Sequence, residues 1–277
     1  MSGRADVADR PLVGYRADVM SAITRYVALG DSFTEGIGDP DSASRNGLRG
    51  WADVVAAHLA NLNPEFRYAN LAIRGHTMDA VIAGQVQPAI LLQPDLVTIY
   101  AGINDLLKLR TDLDAMMTRY ARALALLRRT GARIMTFTAA DIGTVPVFRR
   151  LRGRAAIYNE LLRAIVDDLG LELVDFWRFT EFRDPRMWDT DRVHLGPLGH
   201  QRMAARVLDA LAVPHTLCGP PHWSAASHAG RVTRLRSDLH WAASFAAPWV
   251  LRRLRRVTPG AGVEPKLASL TTPVRVP

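Results

Sequence analysis

Short apolar runs alternate along the chain with longer stretches in which apolar residues recur at helical spacing. The clearest run is DLVTIYAG, which is rich in β-branched residues and lies between Pro94 and Gly102. Four further runs also predict strands: YVALG, FRYANLAI, ARIMTFTAA and LELVDFW. Near-continuous apolar strands separated by helices are typical of a sheet that is buried on both faces. The predicted fold class is therefore α/β, a three-layer α/β/α sandwich around a central, mainly parallel sheet.

Helical spacing recurs in the stretches between and after these strands. Helices are predicted over WADVVAAHLANLN, MDAVIAGQVQPAILL, LDAMMTRYARALALLRRTG, RAAIYNELLRAIVDDLG and PLGHQRMAARVLDALA. The second should break or kink near Pro88, because proline removes a helical hydrogen bond. Gly131 suits the end of the third helix, and Pro197 suits the first turn of the last one.

The composition changes after Val213. We expect a lead-in over residues 1–23, one domain over 24–213 and a basic, partly disordered extension over 214–277, whose last twenty residues look unstructured. The formal net charge is +8, and the extension holds nine basic and two acidic residues against 26 and 25 in the rest of the chain. Any electrostatic argument about a partner therefore concerns the extension.

Residues 240–256 of the extension, HWAASFAAPWVLRRLRR, predict a basic amphipathic helix with a kink at Pro248. Four roles stay open for the extension: a solvated tail, a partial lid folded back on the body, a weak contact with an anionic membrane, or nucleic-acid binding. Nucleic acid is the least favoured partner, because no recognised binding module accompanies the charge.

Other signals concern the compartment and cofactors. The single cysteine, Cys218, excludes an internal disulfide framework and fits a reducing cytoplasm. Because we see neither a signal peptide nor an apolar run of about eighteen residues, we expect a cytoplasmic protein without a membrane span. Scattered histidines, and the absence of H-E-x-x-H and of phosphate-binding loops, predict no metal and no cofactor.

Polar residues that suit catalysis follow the ends of the predicted strands. Ser32 follows the first strand in GDSFTEG, Gly75 follows the second, and Asn104 follows the third in GIND. Asp191 and His194 follow the last strand in DRVH, just before the last helix. In an open parallel sheet these strand ends border the active-site crevice. Alone, each residue would more often serve a turn, but together and in this order they favour a site.

These blocks resemble those of the SGNH hydrolases of the GDSL type, over roughly residues 24–213. The resemblance implies the flavodoxin-like SGNH hydrolase fold and an esterase or lipase activity. It implies Ser32 as nucleophile, Asp191 and His194 as its triad partners, and an oxyanion hole made by the backbone N–H groups of Ser32 and Gly75 and the side-chain amide of Asn104. Phe33 departs from the leucine that is common in the family.

The spacing supports the same assignment. Asp191 lies three residues before His194, so the carboxylate can orient the imidazole that activates Ser32. Asp189 is a rival acid with a less suitable spacing. His76 and His200 are rival bases, but neither has an acid three residues before it.

Several neighbouring residues have expected supporting roles. Asp31 and Asp105 should support the strand ends structurally, and His76, Phe148 and Trp188 could line the pocket. An apolar pocket for the acyl or alcohol group would be formed by five loop residues: Phe148, Phe179, Phe182, Met187 and Trp188. We expect a small-molecule or lipid ester as substrate, with short acyl or acetyl groups favoured. Acyl transfer, lysophospholipase or thioesterase activity would use the same triad, and a non-catalytic scaffold that acts through its basic tail is the rival from another class.

Overall fold

The computed structural model describes residues 23–144, 148–217 and 262–273, together with Trp241, Ser244 and Gly260. The predicted lead-in before Ile23 and most of the predicted amphipathic helix over 240–256 lie outside the described residues.

A six-stranded sheet forms the centre of the molecule, with the strand order β5-β4-β3-β1-β2-β6. The strands are β1 (Arg25–Gly30), β2 (Arg67–Asn70), β3 (Leu96–Tyr100), β4 (Arg133–Phe137), β5 (Glu172–Val174) and β6 (Leu267–Thr271). The first five pair in parallel, and β6 runs antiparallel to β2 at the edge. The predicted α/β sandwich with a mainly parallel sheet is confirmed.

Helices cover both faces of this sheet. They are α1 (Ser32–Glu35), α2 (Trp51–Leu62), α3 (Met78–Val81), α4 (Gln87–Leu91), α5 (Ile103–Leu106), α6 (Leu113–Arg128), α7 (Arg152–Leu169) and α8 (Pro197–Ala210). Tyr26 and Ala28 of β1 pack with α2 and α8 in one core, whereas Val27 and Leu29 pack with α3, α6 and α7 in the other. This alternation follows from the two-residue period of a strand.

The helix predicted over MDAVIAGQVQPAILL changes its hydrogen-bond pattern halfway. A π-helical segment, Ile82–Val86, joins α3 to α4, and Pro88 lies in the first turn of α4, where a missing backbone N–H is tolerated. The interruption expected near Pro88 therefore begins six residues earlier, at Ile82. π-helical segments are frequent at functional sites, and this one carries a residue that contacts the candidate site.

One expectation about the extension is wrong. The last twenty residues are not all without structure, because Leu267–Thr271 form β6 and pair with β2 at Tyr68 and Asn70. Just before β6, the buried Lys266 donates to Asp53 at 2.8 Å. Proline-rich and glycine-rich flanks suggested a tail, but the open edge of β2 supplies hydrogen-bond partners that local composition does not reveal. The division between 24–213 and 214–277 stays a prediction.

No helix within the described ranges is long and apolar enough to cross a membrane.

Candidate active site

The turn after β1 presents Ser32 at the carboxyl edge of the sheet. Asp31 caps α1, since its carboxylate accepts the backbone N–H of Phe33 at 3.1 Å. Gly30 is required here: its φ is +148°, and a Cβ would lie 2.6 Å from the carbonyl oxygen of Tyr100. The chain therefore turns sharply between β1 and α1, which leaves the half-buried Ser32 at the first helical position.

A chain of hydrogen bonds joins Ser32 to Asp191 through His194. His194 Nε2 lies 2.9 Å from Ser32 Oγ, and His194 Nδ1 lies 2.6 Å from Asp191 Oδ2. A carboxylate can only accept, so Nδ1 carries the ring proton and Nε2 is left to accept from the serine hydroxyl. This is the arrangement in which an imidazole can remove the hydroxyl proton during nucleophilic attack.

The Asp191 carboxylate is held by more than the imidazole. Its Oδ1 accepts the backbone N–H groups of Val193 and His194, each at 2.9 Å. Burial opposes ionisation of Asp191, but these bonds and the nearby His194 outweigh burial and hold the Asp191 pKa below its usual range. The acid therefore stays charged.

The rival acid, Asp189, has a different role. Its Oδ1 accepts the backbone N–H of Thr190 at 2.7 Å, and its own N–H donates to the His194 carbonyl at 2.8 Å. Asp189 thus closes the loop that presents His194, and the carboxylate that contacts the imidazole is that of Asp191.

The rival base His200 is buried in the core beside α2. Its Nδ1 accepts the backbone N–H of Trp51 at 3.1 Å, and its Nε2 donates to the carbonyl of Ile37 at 3.0 Å. Burial lowers the His200 pKa to about 4, although the bond to Ile37 acts in the other direction. His200 is therefore a neutral residue that ties two backbone segments together.

Gly75 lies on the loop after β2 with a φ of +76°, a conformation that favours glycine. Within the described ranges, no hydrogen bond uses the backbone N–H of Gly75 or of Ser32. These two backbone N–H groups are the ones that the family resemblance implies as oxyanion-hole donors.

The loop that carries Gly75 is fixed by a buried carboxylate. Glu35, which is 1% exposed, accepts the backbone N–H of Arg74 at 2.7 Å and also bonds the Arg74 guanidinium. Since Glu35 belongs to α1, this pair links the Ser32 turn directly to the Gly75 loop.

Asn104 lies on α5, and its side-chain amide already donates two hydrogen bonds. Its Nδ2 donates to Asp31 Oδ2 at 3.1 Å and to the carbonyl of His76 at 3.0 Å. Both N–H bonds therefore have partners in the free protein, and Asn104 can bind an oxyanion only by sharing or exchanging one of them. Asp105 supports the same region, where its Oδ2 accepts the N–H of Met78 at 2.7 Å.

The carboxyl group of Asp31 has a raised pKa. Burial raises its pKa from 3.8 to about 7, although the bond from Phe33 and the nearby His194 act in the opposite direction. Burial thus opposes ionisation of a carboxyl group directly beside the candidate nucleophile.

Sequence reasoning missed Gln85, which lies on the π-helical segment. Its Oε1 accepts the backbone N–H of Gly30 and its Nε2 donates to the Gly30 carbonyl, both at 2.8 Å. Gln85 Nε2 also lies 3.4 Å from Nδ1 of His76, whose pKa is lowered by burial. The available signal was weak: two glutamines, Gln85 and Gln87, lie within this mainly apolar helical stretch.

The loop residues predicted to line an apolar pocket differ in their burial and contacts. Phe182 is 5% exposed and Met187 is 1% exposed, so both pack in the core, and Phe182 also lines a small cavity beside Trp188. The half-buried Trp188 donates its indole N–H to the Phe182 carbonyl at 2.7 Å and stacks on Phe176. Phe148 lies, partly buried, in the turn before Arg149–Leu151.

The cavities bear on substrate size. The space between Trp188 and the phenylalanines at 176, 179 and 182 measures only about 10 Å³, room for one water at most. A larger groove of about 870 Å³ lies near the amino ends of β1, β3 and β4. Ser32 lies at the other end of these strands, after the carboxyl end of β1.

Comparison with known proteins identifies the class. Residues 28–202 match the GDSL-like Lipase/Acylhydrolase family. The chain belongs to that family and is a GDSL-type carboxylic ester hydrolase of the SGNH superfamily. This assignment favours the predicted enzyme over a non-catalytic scaffold.

Solved structures show the same fold. LAE5, an α/β hydrolase from the metagenome of Lake Arreo, is 25% identical over 72% of this chain and 99% of its own, with a TM-score of 0.57. Axe2 from Geobacillus stearothermophilus, an acetylxylan esterase, is 22% identical over 70% of this chain and 97% of its own, with a TM-score of 0.53. TesA is 20% identical over 68% and 98%, with a TM-score of 0.55.

A search among curated proteins found no match. In the part of the chain that the structure describes, no group of three or more His, Cys, Asp or Glu side chains could hold a metal ion.

Proposed function

We propose that this esterase works through an acyl-enzyme on Ser32, with His194 as general base and Asp191 as the residue that orients it. The observation that carries the proposal is the hydrogen-bonded chain from Ser32 Oγ through the imidazole to the Asp191 carboxylate, at 2.9 and 2.6 Å. Attack of Oγ on the ester carbonyl transfers the hydroxyl proton to Nε2. Collapse of the tetrahedral intermediate passes that proton to the leaving alcohol. Water then attacks the acyl-enzyme by the same route and releases the acid.

The negative charge of the tetrahedral intermediate needs donors that are already in place. The backbone N–H groups of Ser32 and Gly75 supply two, and the Asn104 amide supplies a third once it shares a bond that it now gives to Asp31 or His76. Each such donor typically lowers the barrier by roughly 3–4 kcal/mol. Glu35 and Gln85 act indirectly, because they hold the backbone that presents these donors.

We assign a short acyl group to the substrate. Two apolar side chains that could have lined a long acyl channel, Phe182 and Met187, are packed in the core. The cavity of about 10 Å³ beside Trp188 is too small for an alkyl chain. Acetyl and propionyl esters should therefore be hydrolysed faster than octanoyl or longer esters.

A chain-length series of p-nitrophenyl esters tests both parts of the proposal. Wild type should favour the short esters, and Ser32→Ala should lose at least about 10³-fold in kcat. Ser44→Ala is the matched control, because Ser44 bonds Asp41 on a surface loop away from the imidazole. Ser32→Ala with near wild-type turnover would contradict the nucleophile assignment. A maximum at long chains would contradict the size assignment alone.

A further inference from the structure

The loop that carries Asp191 and His194 is only partly supported from within. The Asp191 carboxylate accepts hydrogen bonds from two backbone N–H groups of its own loop and from the His194 imidazole. The side chains of Asp191 and His194 remain 21% and 24% exposed to solvent. Arg192, between them, has a φ of +57°, a left-handed conformation that non-glycine residues adopt at a cost. Such a geometry persists when its surroundings determine it.

A residue fifty positions away supplies an outside contact to this loop. The indole N–H of Trp241 donates to the backbone carbonyl of Asp191 at 2.7 Å. Trp241 is 6% exposed, and the Arg192 guanidinium lies over its ring at 5.4 Å. A buried donor on a rigid ring, together with a cation–π contact, fixes both the position and the backbone angle of the residues beside His194.

The same C-terminal part of the chain also contacts the other side of the site. Gly260 is buried so closely that a Cβ would lie 2.3 Å from the carbonyl oxygen of Arg74, the residue before Gly75. Lys266 donates to Asp53 and to the carbonyls of Leu48 and Arg49. Trp241, Gly260 and Lys266 therefore all pack beside the loops that surround Ser32, and the Trp241 contact is one of several.

We propose that Trp241 is a positioning residue of the active site: through the Asp191 carbonyl and Arg192 it holds the Asp191–His194 loop at hydrogen-bond distance from Ser32. This inference rests on the proposed function of the triad. It gives the basic segment a role in catalysis that a solvated tail would not have.

Two changes at Trp241 test this inference in the full-length protein. Trp241→Phe removes the N–H and weakens the cation–π contact. Site-specific 3-benzothienylalanine at position 241 keeps the two-ring shape and removes the N–H alone. Trp177→Phe is the matched control: the Arg152 guanidinium lies over the Trp177 ring at 5.3 Å, so the control also loses a tryptophan under an arginine.

The readouts are kcat and KM with p-nitrophenyl acetate and the downfield proton NMR signal of the His194 Nδ1–H bond to Asp191. Both changes at 241 should lower kcat roughly tenfold with KM changed less than about twofold, because misplaced catalytic groups lose transition-state stabilisation. The signal should broaden or move upfield. Trp177→Phe should leave kcat and the signal as in wild type.

Wild-type kcat and an unchanged signal in both proteins altered at 241 would overturn the inference and leave the proposed function intact. An equal loss in Trp177→Phe would also overturn it, because the effect would then be general loosening. If wild type hydrolyses no ester and Ser32 reacts with no fluorophosphonate, the proposed function fails. The NMR signal still decides separately whether Trp241 positions the loop.

Discussion

Gln85 and Gly30 are joined by two hydrogen bonds of 2.8 Å, one in each direction between the side-chain amide and the backbone. Gly30 is the last residue of β1 and stands two positions before Ser32. The glutamine thus completes the hydrogen bonding of a strand end where the chain turns away from the sheet. Both residues are buried, so water cannot replace these bonds.

Gln85→Met should lower both stability and activity. The change keeps the side-chain length but leaves the buried N–H of Gly30 without its partner, which costs about 1–3 kcal/mol. The Gly30 carbonyl keeps only the backbone N–H of Ile73, at 3.2 Å. Urea unfolding measures the stability, and kcat reports the displaced turn. The exposed Gln87, two residues further on, gives the matched control Gln87→Met, which should stay within about 0.5 kcal/mol of wild type. Equal stabilities for the two variants would contradict this role of Gln85.

Asn104→Ala should lower kcat by about 10²–10³-fold and change KM little, because an oxyanion donor acts mainly in the transition state. The substitution also removes the bonds to Asp31 and the His76 carbonyl, so thermal unfolding must be measured beside the kinetics. A kcat within a few-fold of wild type in a folded variant would show that Asn104 supports the loops only.

Arg74→Met should destabilise the protein by about 3–5 kcal/mol, because it leaves the Glu35 carboxylate buried without its main partner. Arg119→Met is the matched control. Arg119 pairs with Asp79 at 2.8 Å on the exposed surface, and such pairs contribute at most about 1 kcal/mol. Denaturant unfolding of both variants measures the difference, and comparable losses would show that burial of Glu35 does not decide the energy.

His200 should make the protein acid-sensitive. Its folded-state pKa is lowered to about 4, so between the usual value near 6.5 and pH 4 the unfolded chain binds a proton that the folded chain does not. The stability that the neutral ring contributes is thus present above about pH 6.5 and is lost as pH falls, by up to about 3 kcal/mol.

Urea unfolding at a series of pH values between 7 and 4 tests this dependence. His200→Gln should show a shallower loss of stability over this range, whereas His58→Gln, at a half-buried histidine whose ring bonds the Pro214 carbonyl, should keep the wild-type slope. If His200→Gln keeps that slope as well, another group is responsible for the acid sensitivity.

The features that could be predicted from the sequence are those set by residues close together along the chain. The strands and helices follow from hydrophobic period, and the positions of Ser32, Gly75 and Asn104 follow from where strands end. The Asp191–His194 contact spans three residues, so spacing alone could indicate it. Ser32 lies 162 residues from His194, but the common sheet edge of a parallel fold brings them together.

The contacts that the sequence did not reveal depend on three-dimensional packing. Gln85 lies 55 residues from Gly30, and nothing in its own stretch indicates which backbone group it would bond. Strand β6 and Trp241 come from a segment whose composition suggested a tail. The apolar loop residue Met187 suggested a pocket wall but is buried in the core, because sequence does not distinguish an apolar residue in a pocket from one in the core.

The most direct test of the acyl-enzyme mechanism is to label wild type with a fluorophosphonate and map the adduct by mass spectrometry while esterase activity is followed. We expect one adduct per chain, on Ser32, formed in step with the loss of activity, and no adduct in Ser32→Ala. Full inactivation with the adduct on another residue, or ester hydrolysis that continues with Ser32 fully labelled, would contradict the mechanism.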